Sequence, residues 1–173
     1  ENGAFVVLDH PYVDNFFART ASHIPEEMEK KLEELCKEYS DEVALEWNGY
    51  CKPWVRRILK TGLNVLGYNV RYHDVNKRVD ELSSRLLNSG YNVPVVADTD
   101  LHARNKKQLK KMGTARFLCE IDGENGKDIV ESIKKDVFNR KHCNVRMYVD
   151  FSHLFGAFCL PILFPGYFEK PRG

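Results

Sequence analysis

Between Asp74 and Phe138 the apolar residues switch repeatedly between a helical and an extended period, and this alternation constrains the fold more than any other feature of the chain. Val75, Val79, Leu82 and Leu86 follow i, i+4, i+7 and i+11, the spacing of one buried helical stripe, with Asp74 in front as N-cap. The spacing predicts a helix over Val75 to Asn88, closed by Gly90, which tolerates the positive φ of a helix end. Val93, Val95, Val96 and Ala97 form an apolar run too short for a helix and read as a buried strand. Pro94 has no backbone donor and belongs among the first residues of that strand. Asp98, Thr99 and Asp100 end it and can accept from the free amides of a second helix, Leu101 to Met112, which Gly113 closes. Ala115 to Ile121 reads as another strand, and the D-G and N-G dipeptides of the following loop as tight turns. Ile129, Val130, Ile133, Val137 and Phe138 space the inner face of a third helix. Strands alternating with helices imply βαβ units, hence an α/β fold with a mixed sheet flanked by helices.

The flanking segments follow the same reading. Ala4 to Leu8 is a short apolar run expected as a strand, and Val13, Phe16 and Phe17 start a turn of helix after it. Pro25, Glu26 and Glu27 open a helix, because proline fits the first turn and carboxylates favour the positive end of the dipole. Met28, Leu32, Leu35, Cys36 and Tyr39 make its stripe. A further helix follows Pro53, with Trp54, Val55, Ile58 and Leu59 expected inward and Arg56, Arg57 and Lys60 outward, until Gly62 stops it. Leu66, Tyr68, Val70 and Tyr72 alternate as a half-buried strand requires, and so do Val145, Met147, Val149 and Phe151, read as a further strand of the same sheet. Phe155 to Tyr167 is rich in aromatics and broken by Pro161, Pro165 and Gly166; it either wraps over an apolar surface or docks a partner. The expected organisation is a single domain over 1–173, with an N-terminal helical extension (1–62), an α/β core (63–151) and an aromatic tail (152–173).

With 173 residues, 43% hydrophobic and 29% charged, the chain has an ordinary globular composition and can bury one core. Its 26 Lys+Arg against 25 Asp+Glu leave a net charge of +1, so any attraction for nucleic acid must come from a local patch. Glu1 rather than Met at the start reads as an excised domain or a processed chain. Cys36, Cys51, Cys119, Cys143 and Cys159 are scattered, without C-x-x-C pairs or zinc-site spacing, and are expected as reduced, mostly buried thiols. With no sequon and no signal-peptide pattern, the expected location is intracellular, cytoplasmic or nuclear. Leu154 to Phe164, the longest apolar patch, is too short to span a bilayer and is broken by Pro161. No membrane partner is expected.

From Gly67 to Phe138 the chain resembles the anticodon-binding domain of class II aminoacyl-tRNA synthetases of the histidyl, prolyl, threonyl and glycyl type. The similarity lies in a helix ending in Leu87, Asn88, Ser89, Gly90, Tyr91, Asn92 and Val93, then a strand ending in acidic residues. A basic helix closing in Lys110, Lys111, Met112 and Gly113 follows, and then the strand Ala115 to Ile121 with its Asp122, Gly123, Glu124 loop. The synthetase catalytic motifs are not recognisable, and residues 1–61 do not match the family's domain. The resemblance implies an anticodon-binding-like core that binds structured RNA, tRNA for example, in a translation setting, or that keeps the fold for contact with proteins.

Arg104, Lys106, Lys107, Lys110, Lys111 and Arg116 are the candidate RNA-binding residues, since clustered cations neutralise phosphates and give salt-sensitive binding. The bland alternative is the solvated face of an amphipathic helix. Tyr72, Tyr91 and Tyr148 could stack on bases, but aromatics are enriched in sheets and read first as core. The alternative function is protein interaction or homodimerisation through the tail or the helix at Glu26 to Tyr39. A third is an Mg²⁺-dependent phosphatase-like hydrolase using Asp98 and Asp100, because an apolar strand running into D-x-D resembles the first motif of haloacid-dehalogenase-like phosphatases. Asp9, His10, His102 and His153 match no metal-binding spacing. No Gly-rich phosphate loop is present, and neither a catalytic residue, a metal nor a cofactor is implied.

Overall fold

Val43–Asn48 (β2) is the strand on which the structure closes, and all of its residues are buried. The computed structural model describes residues 4–9, 11–12, 26–49, 51–65, 67, 73–99, 110 and 112–149, the side chains of Val55, Arg56, Leu59 and Leu63 excepted. Val6–Leu8 (β1) runs parallel to β2 in the register Val6↔Val43 to Leu8↔Leu45. Val95–Asp98 (β3) runs parallel on its other edge, from Leu45↔Val95 to Asn48↔Asp98. The crossovers are helical: Glu26–Glu38 (α1) joins β1 to β2, and Pro53–Val65 (α2) and Val75–Asn88 (α3) lie between β2 and β3. Parallel strands need such crossovers, and their helices cover the sheet.

Alternate residues of the sheet serve two cores. Leu45, Trp47, Val95 and Ala97 pack with Cys36 of α1 and with Val75, Val79, Leu82 and Leu86 of α3. On the opposite face Ala44 and Val96 meet Val137, with Phe5, Val7, Phe117, Ile133 and Phe138 closing around them. Val137 belongs to Gly126–Phe138 (α4), so helices cover both faces, in three layers. The α3 stripe is the one its periodicity demanded, and the Asp74 carboxylate caps the helix by accepting from Lys77 N at 3.1 Å. Ser89 and Gly90, at φ 87°, end it. Arg78 and Arg85 of α3 reach Glu29 and Glu33 of α1 at 2.5 and 3.1 Å, which aligns the two helices at a part-exposed surface worth little in stability.

Two asparagine side chains finish the sheet where backbone partners run out. Asn76, in the first turn of α3, accepts from Asn48 N and donates to Asn48 O, both at 2.9 Å, so an amide replaces a strand partner at the end of β2. Beyond β3, Arg116–Leu118 (β4) and Cys143–Val145 (β5) pair antiparallel. Asn144 of β5 ties this pair to β3, accepting from Ala97 N at 2.8 Å and donating to Val95 O at 2.7 Å.

The α/β class with flanking helices is what the sequence led one to expect, but several assignments are corrected. Residues 1–62 are not a helical extension: they supply β1 and β2 to the same sheet as β3. The expected single mixed sheet is a 3-stranded parallel sheet beside a 2-stranded antiparallel pair. In α2, Gly62 does not stop the helix, and three of the expected positions are exchanged: Lys60 is 1% exposed whereas Trp54 and Ile58 are 47% and 61% exposed, while Arg57 is exposed as expected. The last strand covers Cys143–Val145 instead of starting at Val145, and Met147 is exposed, not inward. Cys36 and Cys51 are buried as expected, Cys119 is half-buried and Cys143 is exposed. Of the strand expected over 66–72, only Gly67 lies within the described residues, as a turn; the expected helical turn at Val13 to Phe17, most of the helix over 101–112 and the tail over 152–173 fall outside them. Among the described residues no helix is long and apolar enough to cross a membrane.

Two measurements check this packing. Asn76→Ala leaves the buried N–H and C=O of Asn48 without their amide partner and is expected to lower stability by about 1–3 kcal/mol in chemical denaturation. Burial pushes the Cys36 thiol up to about 11, with Glu33 adding to the effect, so it stays protonated and shielded at neutral pH. In the native protein a thiol reagent should therefore modify Cys143 well before Cys36 or Cys51, both of which should react only on unfolding.

Candidate functional site

In open parallel α/β sheets the carboxyl ends of the strands are where ligands bind, because loops diverge there and leave a crevice. Here those ends are Asn48 and Asp98, paired across β2 and β3. Gly49 N donates to Asp98 O at 2.8 Å and Gly49 O accepts from Val149 N at 3.0 Å, which carries the pairing one residue past the strand. The packing around Gly49 is close. A Cβ at this position would stand 3.0 Å from Ala115 Cβ and 3.3 Å from the carbonyl oxygens of Asp98 and Met147.

Thr99 then makes a clasp. Its hydroxyl donates to Ala115 O at 2.7 Å and accepts from Ala115 N at 3.1 Å, with both residues buried. The chain thus leaves the sheet after Thr99 and returns to the same point at Ala115. Arg104, Lys106, Lys107, Lys110 and Lys111 all fall on the excursion between. Of the six candidate RNA-binding residues, Lys110 and Arg116 lie within the described residues and both are exposed. Arg116 opens β4, and its guanidinium donates to Gly113 O at 2.6 Å, a turn in which Gly113 takes φ 73°. Arg104, Lys106, Lys107 and Lys111 fall outside the described residues.

Asp98 ends β3 with an exposed side chain, the position a strand-end D-x-D needs, while Asp100 lies outside the described residues. Tyr91 and Tyr148 are half-buried and pack on the main core, Tyr148 with its ring 4.8 Å from that of Trp47. Their role is structural, and Tyr72 is not among the described residues. No cluster of His, Cys, Asp or Glu suited to a metal ion occurs among the described residues.

The sequence reading overlooked the polar groups inside the sheet. Glu46 and Lys60 are each 1% exposed and each engaged by neighbouring groups, and Asn48 Nδ2 donates to Glu46 Oε1 at 3.2 Å. Burying charge is costly unless it is paired and hydrogen-bonded, so Glu46 and Asn48 mark a polar seam at the carboxyl half of β2. The only local signal was a glutamate within an apolar run, and that pattern fits an exposed turn equally well. The chain matches no family model, no curated protein and no solved structure.

Thr99→Val keeps the side-chain volume and removes both bonds of the clasp. Trypsin cleavage within 100–114 should then accelerate relative to the unaltered chain while cleavage in α1 and α3 does not; equal rates at all sites would mean the clasp does not anchor the excursion.

Proposed function

We propose that the chain is a non-enzymatic intracellular module that binds structured RNA through Arg104, Lys106, Lys107, Lys110, Lys111 and Arg116, on an anticodon-binding-like α/β core. The observation that carries this reading is the Thr99–Ala115 clasp, which returns the basic excursion to the carboxyl end of β3. A chain with a net charge of +1 has no general field to attract RNA, so a cation-rich segment anchored at both ends is what could concentrate positive potential. Phosphate contacts of this kind act by counterion release, and their signature is salt dependence.

A titration of the chain with bulk tRNA and with an unstructured oligonucleotide, at several salt concentrations, tests this. If three to five phosphates are engaged, log affinity should fall against log salt with a slope of about −2 to −4. Changing Lys107 and Lys110 together to Glu should weaken tRNA binding about tenfold or more and flatten the slope by about 1 to 2, with stability held within about 0.5 kcal/mol per site. Absence of salt-sensitive binding at low salt would overturn the reading.

A second reading, interaction with a protein or with a second copy, is favoured by α2, whose Trp54, Ile58 and Val65 are 47%, 61% and 82% exposed. Sedimentation equilibrium separates the two: a mass that rises with concentration and ignores the lysine changes supports association instead.

A further inference from the structure

A cavity of about 250 Å³ opens beside the outer edge of β3, at the amino end of the strand and therefore away from the Thr99 clasp. It is lined by α3, by Val95 and by the segment from Arg140 to Arg146. Its charges are unbalanced in one sense. Asp80 is consumed by Arg146, whose two terminal nitrogens meet the two carboxylate oxygens at 2.8 and 2.9 Å. Arg140 lines the same cavity and, among the described residues, bonds only neutral acceptors: Asn92 Oδ1 at 3.1 Å through Nε and Val93 O at 3.3 Å through Nη2. One guanidinium charge is left facing the space without a carboxylate.

The backbone holds that charge in place at a cost. Arg140 follows the C-cap Asn139 of α4 and takes φ 54°, the left-handed conformation that helix ends usually give to glycine. A residue with a Cβ is strained there, and such strain is characteristically kept where a side chain has work to do. Partial burial lowers the arginine pKa, although the group remains charged at neutral pH.

The rest of the lining is polar but adds one unspent donor among the described residues, the Ser84 hydroxyl. His142 Nε2 lies 2.8 Å from Val95 O, so that nitrogen carries the proton and donates, while the buried Nδ1 has no hydrogen-bond partner. Ser84 is exposed at the rim, on α3.

We propose that this cavity is a binding site for a phosphoryl group, with Arg140 as its charged anchor and the Ser84 hydroxyl as a donor at its rim. A planar guanidinium fork matches two phosphoryl oxygens, and the lining carries one more positive than negative fixed charge, which favours an anion over a neutral ligand. At about 250 Å³ the space is below that of drug-sized pockets. It takes one phosphoryl group with a small remainder, whether a free phosphomonoester or the terminal phosphate of a nucleic acid. The site shares no residue with the basic excursion, so it does not rest on the RNA reading.

The test is an amide-resolved NMR titration with inorganic phosphate at constant ionic strength, with chloride as the comparison. Saturable shifts are expected at Ser84, His142 and Asn144, with a dissociation constant near about 1 mM. Arg140→Gln should weaken binding about tenfold or more, and so should Ser84→Asp, which sets a carboxylate at the rim of the cavity. The second variant breaks no bond of the fold, so its unchanged melting temperature separates lost binding from lost structure. Glycerol phosphate and a 5′-phosphorylated oligonucleotide, each against its dephosphorylated form, then identify the source by which gains affinity over inorganic phosphate. No saturable shift up to about 20 mM phosphate, an undiminished response in both variants, or loss of the response in the Lys107 and Lys110 double change would overturn the proposal.

Discussion

The two-sided pairing of β2 is the constraint on which the rest of the structure depends. A strand with parallel neighbours on both edges and apolar layers on both faces has no residue left for solvent, and Val43–Asn48 is buried throughout. That burial dictates where the helices go. Residues on one side of the pleat require α1 and α3, residues on the other require α4, and the parallel direction makes helical crossovers necessary. The strand's short length then forces a solution at its end, where no further backbone partner exists.

That solution is amide chemistry. An asparagine side chain carries one donor and one acceptor group in the geometry of a peptide, so it can stand in for a strand partner at a place where a strand will not fit. Asn76 does so at the end of β2, and Asn144 does so along β3. Each of them joins elements distant in sequence, α3 to β2 in one case and the β4–β5 pair to β3 in the other. Because the polar groups they satisfy are buried or part-buried, replacing them exposes a desolvation cost above the net value of an average hydrogen bond.

The two ends of β3 consequently differ in character. At its carboxyl end, a threonine hydroxyl closes the base of a lysine-rich excursion, and the backbone around Gly49 is packed so closely that a Cβ there would press on its neighbours. At its amino end, beside the Asn144 link, a strained arginine faces a small polar cavity. A single edge strand thus separates the base of the basic segment from an open, anion-sized cavity, and the chemistry proposed for each is different: many weak, screened phosphate contacts at one, a single oriented fork at the other.

The sequence by itself determined the elements whose apolar residues repeat on one face. The stripe of α3 with its Asp74 cap, α1 behind Pro25, the inner face of α4 and the apolar run of β3 were all legible, because local periodicity and capping chemistry are set by neighbours in the chain. The tertiary structure alone decided β2, whose Glu46 and Asn48 break the apolar run and whose burial comes from strands 37 residues before it and 50 after it. It alone buried Lys60 of α2 and exposed Trp54. It also decided the roles of Thr99, Asn76, Arg140 and Asn144, for a side-chain hydrogen bond to a distant backbone group leaves no period in a sequence. Periodicity records which face of an element is apolar; only the assembled chain records which polar groups had to be satisfied once those faces came together.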